Sequence, residues 1–274
     1  MFSLVVPTRR NFEALKPLFI TSSSDAEIII IDSDYNEETK QALKDLKHEY
    51  YKITYAPPRK REQDYPYDMI GAINTGIAYS ENPWIMKLDD NWEFKPDFFE
   101  KLKEDLELFK QSHGNRFTIR PLELEPWMGD TKWNRFIPDQ RRYFYLPQPP
   151  LGRAIPIQTI GQAIYHIDAI YDLNGWPEVF DHGYAWNDND MFLRFLNGGY
   201  MIILDQDLMM YRYRHKSTGV ASQRDMGYNL FHENLRKMFR GETVEYKTDN
   251  PFNMAELHEK LIKQKDDYVI YDSS

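Results

Sequence analysis

The stretch Pro83-Trp84-Ile85-Met86-Lys87-Leu88-Asp89-Asp90-Asn91 is the point around which the chain is organised. Its apolar start reads as a buried strand. Its end sets two adjacent carboxylates at the strand tip, where they are costly unless something cationic meets them. Trp92 to Asp97 follows and reads as a turn feeding a helix. Two uses of Asp89 and Asp90 are open at this point. They can cap the helix that begins near Pro96, the commoner use of an isolated Asp-Asp. They can also hold a divalent metal, which takes hard oxygen ligands. The surrounding chain decides between them.

Upstream the pattern is strand, helix, strand, helix, strand, helix. Phe2 to Thr8 reads as a buried strand ending at Pro7, followed by a helix from about Asn11 to Ser22. Glu27 to Asp32 is a second strand, and its four consecutive isoleucines point to burial on both faces, as in a parallel sheet. Asn36-Glu37-Glu38-Thr39 opens a helix running to about His48, with acids in its first turn. Tyr50 to Tyr55 is a third strand. A polar loop with Arg59, Lys60 and Arg61 leads to a helix from about Tyr67 to Tyr79. This alternation requires an α/β fold with a doubly wound, mostly parallel sheet. Ligands bind such sheets at the carboxyl ends of the strands. Three of those ends carry polar groups: Thr8-Arg9, Asp32-Ser33-Asp34 and Asp89-Asp90. The first strand has no Gly-x-Gly-x-x-Gly after it and no Walker loop occurs, so a dehydrogenase-type dinucleotide site is not expected.

Downstream the pattern is less regular. A helix is expected over 98–111 and a strand over 116–120. Residues 121–156 are rich in Pro, Trp and Arg and read as an extended, ligand-facing insertion, too apolar for a free linker. Strands are expected over 157–167, 200–205 and, as an edge strand, 208–214. A helical turn is expected over 168–173 and helices over 188–197, 222–240 and 254–264, the last in a tail that packs on the surface.

The chain of 274 residues carries a net charge of -9, which argues against a general nucleic-acid binder. It has no cysteine, which excludes disulfides, zinc-thiolate sites and thiol nucleophiles and fits a reducing cytoplasm. Residues 2–7 are apolar, but Arg9 and Arg10 follow at once, so no secretory leader is read. No apolar run reaches a membrane span. A soluble, cytoplasmic protein is the expectation.

Taken together and in this order, the motifs resemble the inverting nucleotide-sugar glycosyltransferases of the GT-A fold, especially family two, over roughly residues 2–215. Val5-Val6-Pro7-Thr8 is similar to the family's opening strand and turn. Ile31-Asp32-Ser33-Asp34 resembles its second strand and Asp-containing loop. Ala72-Ile73-Asn74-Thr75-Gly76 resembles the helix before the metal motif. Leu88-Asp89-Asp90-Asn91 resembles the DxD-type motif. Gly175-Trp176-Pro177-Glu178 with Asn187-Asp188-Asn189-Asp190 and Arg194 resembles the acceptor-side motif. Three positions depart from the family pattern. Asp32-Ser33-Asp34 replaces Asp-Asp, which leaves open which Asp meets the base. Asn91 replaces Asp, and Asn187 replaces Glu.

The resemblance implies a hexosyltransferase-type enzyme with one catalytic domain over 1–240. Residues 1–95 form its nucleotide-sugar half, 96–240 its acceptor half, and 241–274 an extension packed on it. It implies a UDP- or GDP-sugar donor contacted by Pro7, Thr8, Arg9, Asp32 or Asp34, Arg61, Asn74, Asp89 and Asp90. It implies Mn²⁺ or Mg²⁺ held by Asp90 with Asp89 or Asn91, and His215 is either a further ligand or a surface histidine. Asp188 is the implied general base. Trp176, Glu178 and Trp186 lie on the acceptor side, where the two rings either stack on sugar faces or pack in the core. Asp190 reads as structural. The acceptor is open between a glycan, a lipid-linked sugar, a protein and a modified nucleic-acid base. Rival readings are a non-catalytic nucleotide- or sugar-binding module, a sugar nucleotidyltransferase, which lacks its Gly-rich loop here, and a metal-dependent nuclease.

Overall fold

A computed structural model describes residues 2–9, 12–21, 26–46, 52–62, 68–124, 143–146, 162–182, 186–212, 224–240, 242 and 246–272. Strand β1 (Phe2–Thr8) leads through a short 3-10 turn to helix α1 (Lys16–Thr21). The helix expected from Asn11 starts later because Pro17 fits only in a first helical turn. Then come β2 (Ala26–Asp32), α2 (Glu37–Asp45), β3 (Lys52–Ala56), α3 (Met69–Ala78) and β4 (Trp84–Lys87). The second half follows with β5 (Trp92–Phe94), α4 (Phe98–His113), β6 (Phe117–Leu124), β7 (Tyr143–Leu146), β8 (Ile164–His166), α5 (Ile167–Leu173), α6 (Asn187–Asn197), β9 (Met201–Arg212), α7 (Arg224–Phe239), α8 (Met254–Leu261) and β10 (Val269–Tyr271).

Among the described residues ten strands form one sheet in the order β10-β3-β2-β1-β4-β8-β6-β9-β5, with β7 also paired to β9. The strands β3, β2, β1 and β4 are mutually parallel. β6 is parallel to β9, while β8, β5, β7 and β10 pair antiparallel to their neighbours. Alternation along β1 divides the core. Val5 joins Ile29 and Ile31 under α3, α5, α6 and α8. Leu4 and Val6 join Ile28 and Ile30 under α1, α2 and α4. Burying each such side chain contributes roughly 1.5–3 kcal/mol, which is why an unbroken Ile run serves a strand covered on both faces. Contact between α3 and β1 is close: a Cβ on Gly76 would lie 2.4 Å from Cγ1 of Val5.

Three expectations are corrected. Trp92 to Phe94 is a strand on β9, where a turn was expected. The two strands expected over 200–214 are one, β9, whose polar centre Asp205-Gln206-Asp207 is a register irregularity opposite Pro121 and Leu122 of β6. The tail does more than pack on the surface, because β10 adds to the sheet beside β3 and Met254 and Leu261 enter the core. Most of the insertion expected over 121–156 lies outside the described residues, apart from the end of β6 and β7.

Candidate active site

The carboxyl ends of β1, β2 and β4 meet at one edge of the sheet. Ser33 N–H donates to the Thr8 carbonyl at 3.0 Å, and Leu88 N–H donates to the Val5 carbonyl at 2.9 Å. These bonds fix the three tips relative to one another. The Thr8 hydroxyl then donates to Oδ2 of Asp90 at 2.8 Å, with both residues buried. Asp32 is fully buried. It accepts the Tyr55 hydroxyl at 2.7 Å and the Asp34 N–H at 2.9 Å. Burial lifts the Asp32 carboxyl above its ordinary value, against the pull of Tyr55. Asp34 and Arg9 are exposed beside it, and Pro7 lies in the strand opposite Ile31.

Lys87 is the last residue of β4, in register with Val5. It faces the side of the sheet covered by α6. It is 1% exposed, and its Nζ lies 3.0 Å from Oδ1 of Asp89 and 3.6 Å from Oδ2 of Asp188. The Asp89 N–H donates to Oε1 of Gln162 at 3.1 Å. Asp188 sits in the first turn of α6, where the helix dipole favours a carboxylate. Its other oxygen accepts the Asn187 amide at 3.2 Å. Its side chain stays 20% exposed, so an acceptor can reach it. Burial raises its carboxyl above the ordinary value and Asp89 adds to this, while Lys87 and the Trp176 indole oppose. For Asp89 burial also pushes upward, but Lys87 and Arg212 outweigh it and hold the group low. Behind this pair Arg120 reaches Glu123 at 3.4 Å. Burial raises Glu123, with Arg120 and Arg212 opposing.

The turn that presents Asp188 is strained. Trp186 has φ 73°, the left-handed region that a bulky side chain seldom enters. Its ring is stacked on Phe231 at 5.3 Å, which offsets the strain with buried contact. Asp190, in the same first turn, is bound by Arg194 at 2.6 Å and by Asn234 at 2.8 Å.

Other expected site residues go into the scaffold. Glu178 is held through both oxygens by Arg59 at 2.6 and 2.7 Å, and Asn74 donates to it at 3.2 Å. Asn74 also exchanges two bonds with the Trp176 backbone, at 2.8 and 2.9 Å. Trp176 is a core residue against Tyr165, at 5.1 Å between ring centres. Arg61 binds Asp68 at 2.5 Å and Asp181 at 2.7 Å. Asp181 in turn accepts the Ile70 and Gly71 N–H groups at the start of α3. The tail completes this frame. Asn250 donates to the carbonyls of Asn174 and Trp176 at 2.7 and 2.8 Å and accepts the Glu178 N–H at 2.9 Å. Phe252 packs under the Arg59 guanidinium at 4.5 Å.

Asp90 and Asn91 present a carboxylate and an amide at the β4 tip, both buried. Such oxygen donors suit Mg²⁺ or Mn²⁺. Among the described residues no cluster of three or more His, Cys, Asp or Glu ligands forms, and His215 lies outside them. The pair alone supplies too few donors for such an ion, which would need water or phosphate oxygens as well. Sequence reading missed Lys87, Gln162, the Arg59–Glu178 pair and Asn250. Lys87 alone left a signal, a charge inside an otherwise apolar strand, which requires a buried partner. Among the described residues no helix is long and apolar enough to cross a membrane.

Comparison with known proteins identifies the family and the fold. The family described as glycosyl transferase family 2 matches residues 3–173. No curated protein matches the chain. The crystal structure of S. aureus TarS 1-349 aligns with 95% of this chain and 69% of its own, at TM-score 0.55 and 14% identity. The same protein in complex with UDP-GlcNAc aligns at TM-score 0.50 and 14% identity, over 96% of this chain and 70% of its own. The crystal structure of GalNAc-T7 with UDP, GalNAc and Mn²⁺ aligns at TM-score 0.60 and 12% identity, over 97% of this chain and 56% of its own. At such identities the likeness speaks for the fold, while the family match takes in more than half of the chain. The chain belongs to glycosyl transferase family 2 and is a glycosyltransferase with a GT-A α/β fold.

Proposed function

We propose that this enzyme moves a sugar from a nucleotide-diphosphate sugar to an acceptor hydroxyl, with inversion at the anomeric carbon. The observation that carries this reading is the placement of Asp188 and Asp89 on one buried lysine, at the sheet edge where Thr8 and Asp90 also meet. Ionised Asp188 takes the proton of the acceptor hydroxyl. That oxygen attacks the anomeric carbon on the face opposite the diphosphate, and the bond to the diphosphate oxygen breaks. Because the attack is in line, the configuration inverts.

Residues 1–95 serve the donor and 96–240 the acceptor, with 241–274 as the supporting extension. Pro7, Thr8, Arg9, Asp32, Asp34 and Asp89 face the base and ribose, for which carboxylates are apt acceptors. Arg61, Asn74, Trp176 and Glu178 act from behind, by holding the loops of the site in place. Trp186 flanks the acceptor. Asp90 and Asn91, with His215, would hold Mn²⁺ or Mg²⁺; when bound, the ion neutralises charge on the departing diphosphate. A UDP-sugar is favoured as donor, because the similar TarS and GalNAc-T7 structures are complexes with UDP-GlcNAc and UDP. The absence of cysteine fits work in a reducing cytoplasm.

A thermal-shift panel of UDP- and GDP-sugars with Mn²⁺ identifies the donor, and turnover is then measured on it. Asp188→Asn is expected to abolish transfer and keep donor binding; normal turnover in that variant removes Asp188 as base. Calorimetry with UDP should show weaker binding in chelator, and equal affinity removes Asp90 as a metal ligand.

A further inference from the structure

Lys87 has no part in the chemistry above, yet its place is the most demanding in the site. It ends a strand whose neighbours Ile85, Met86 and Leu88 are buried and apolar. Removing an ammonium from water costs several kcal/mol unless anions compensate. Here Asp89 and Asp188 do so, at 3.0 and 3.6 Å, and Glu123 adds a further attraction. Asp89 comes from the tip of β4 and Asp188 from the start of α6, about a hundred residues apart in sequence. Without a cation between them the two carboxylates would repel, and each side chain would turn toward solvent.

We propose that Lys87 is a positioning residue for the transfer: its buried ammonium binds the donor-side Asp89 and the base Asp188 together and so aims the base at the anomeric carbon. The inference rests on the reading of Asp188 as base. Arg120, Glu123 and Arg212 extend the same group, so three cations stand against Asp89, Glu123 and Asp188. Loss of Lys87 leaves that set one charge short. The base then loses its fixed rotamer, while the nucleotide contacts of Thr8 and Asp90 are untouched. The larger effect therefore falls on kcat, because Asp188 is the reacting group, while the loosened Asp89 adds a smaller rise in donor KM. A misplacement of the reacting group by about 1 Å costs about 100-fold in rate.

The test compares Lys87→Met, Lys87→Arg and Asp188→Asn, by release of UDP or GDP from the sugar nucleotide that turns over in the panel. UDP calorimetry and thermal melts serve as folding controls. Lys87→Met is expected to lower kcat about 100-fold with a smaller rise in donor KM, and Lys87→Arg to recover at least about tenfold of that loss. Should Lys87→Met not fold, Lys87→Gln is read in the same way. A wild-type kcat in Lys87→Met or Lys87→Gln overturns the proposal. So does a parallel loss of UDP binding and melting temperature that Lys87→Arg fails to restore, which is the mark of a structural lysine. Failure of the underlying reading is distinct: Asp188→Asn then keeps turnover, or no sugar nucleotide turns over, and the inference falls with it.

Discussion

Arg59 holds both carboxylate oxygens of Glu178, at 2.6 and 2.7 Å, across a sequence separation of 119 residues. The pair joins the loop after β3 to the turn after α5, and Glu178 is 1% exposed. Breaking a buried pair from one side leaves a stranded charge, which costs about 3–5 kcal/mol. Arg59→Ala is expected to lose about that much stability in urea. Arg59→Met combined with Glu178→Gln should recover part of it. A single variant as stable as the parent would show that the pair holds nothing in place.

The Thr8–Asp90 bond allows a gentler experiment. Thr8→Val keeps shape and removes the hydroxyl that orients Asp90. A hydrogen bond to a charged group contributes about 1.5–3 kcal/mol. UDP affinity in the presence of Mn²⁺ should therefore fall by about tenfold or more, while the melting temperature changes little. Unchanged affinity by calorimetry would mean that Asp90 is oriented by other contacts.

A pH profile follows from the proposed role of Asp188 as base. Only its ionised form can accept the proton of the acceptor. Burial raises its pKa, with Asp89 adding and Lys87 opposing, so the midpoint lies above the ordinary 3.8. Activity should be full above that midpoint and fall tenfold per unit below it, as one group protonates. A kcat profile that stays flat down to pH 4 would contradict the assignment.

At the amino ends of the strands, Glu27 and Lys265 form a fully buried ion pair, joined by Ser3 and Glu81. Burial alone would raise Glu81, but Lys52 and Lys265 outweigh it and hold its carboxyl below the ordinary value. That contribution is present at neutral pH and is lost as pH falls through the lowered value. Lys265→Met should cost about 3–5 kcal/mol in urea at pH 7, because Glu27 is left buried and unpaired. UDP affinity of the folded fraction should not change, since the site lies at the opposite ends of the strands.

The parallel half of the fold was legible because strands covered on both faces leave long apolar runs, as at Ile28 to Ile31. The tip at Asp89 and Asp90 was legible because charge at the end of such a run needs an explanation. β5 was not, being three residues whose partner lies far along the chain. β9 was split because Asp205-Gln206-Asp207 looks like a break, whereas the sheet absorbs it as an irregularity against β6. Of the site, Asp188 and Asp90 were read from motifs. Glu178, Asn74 and Arg61 were read as ligand contacts, and sequence alone cannot show that each is already engaged by a distant partner. Asn250 has no local pattern at all, because its three bonds are set by how the tail returns to Gly175 and Trp176.

The placement of β10 has a consequence for the protein in concentrated solution. A five-residue strand such as β3, left with a free row of N–H and C=O groups, is a template for pairing with other chains. β10 occupies that row. It is itself only three residues long, and Lys52 pairs with Asp272 at 3.5 Å just beyond it. β10 thus acts as a stopper against self-association, and replacing Ile270 by proline, which cannot pair in the sheet, should show as aggregation before any loss of catalysis appears.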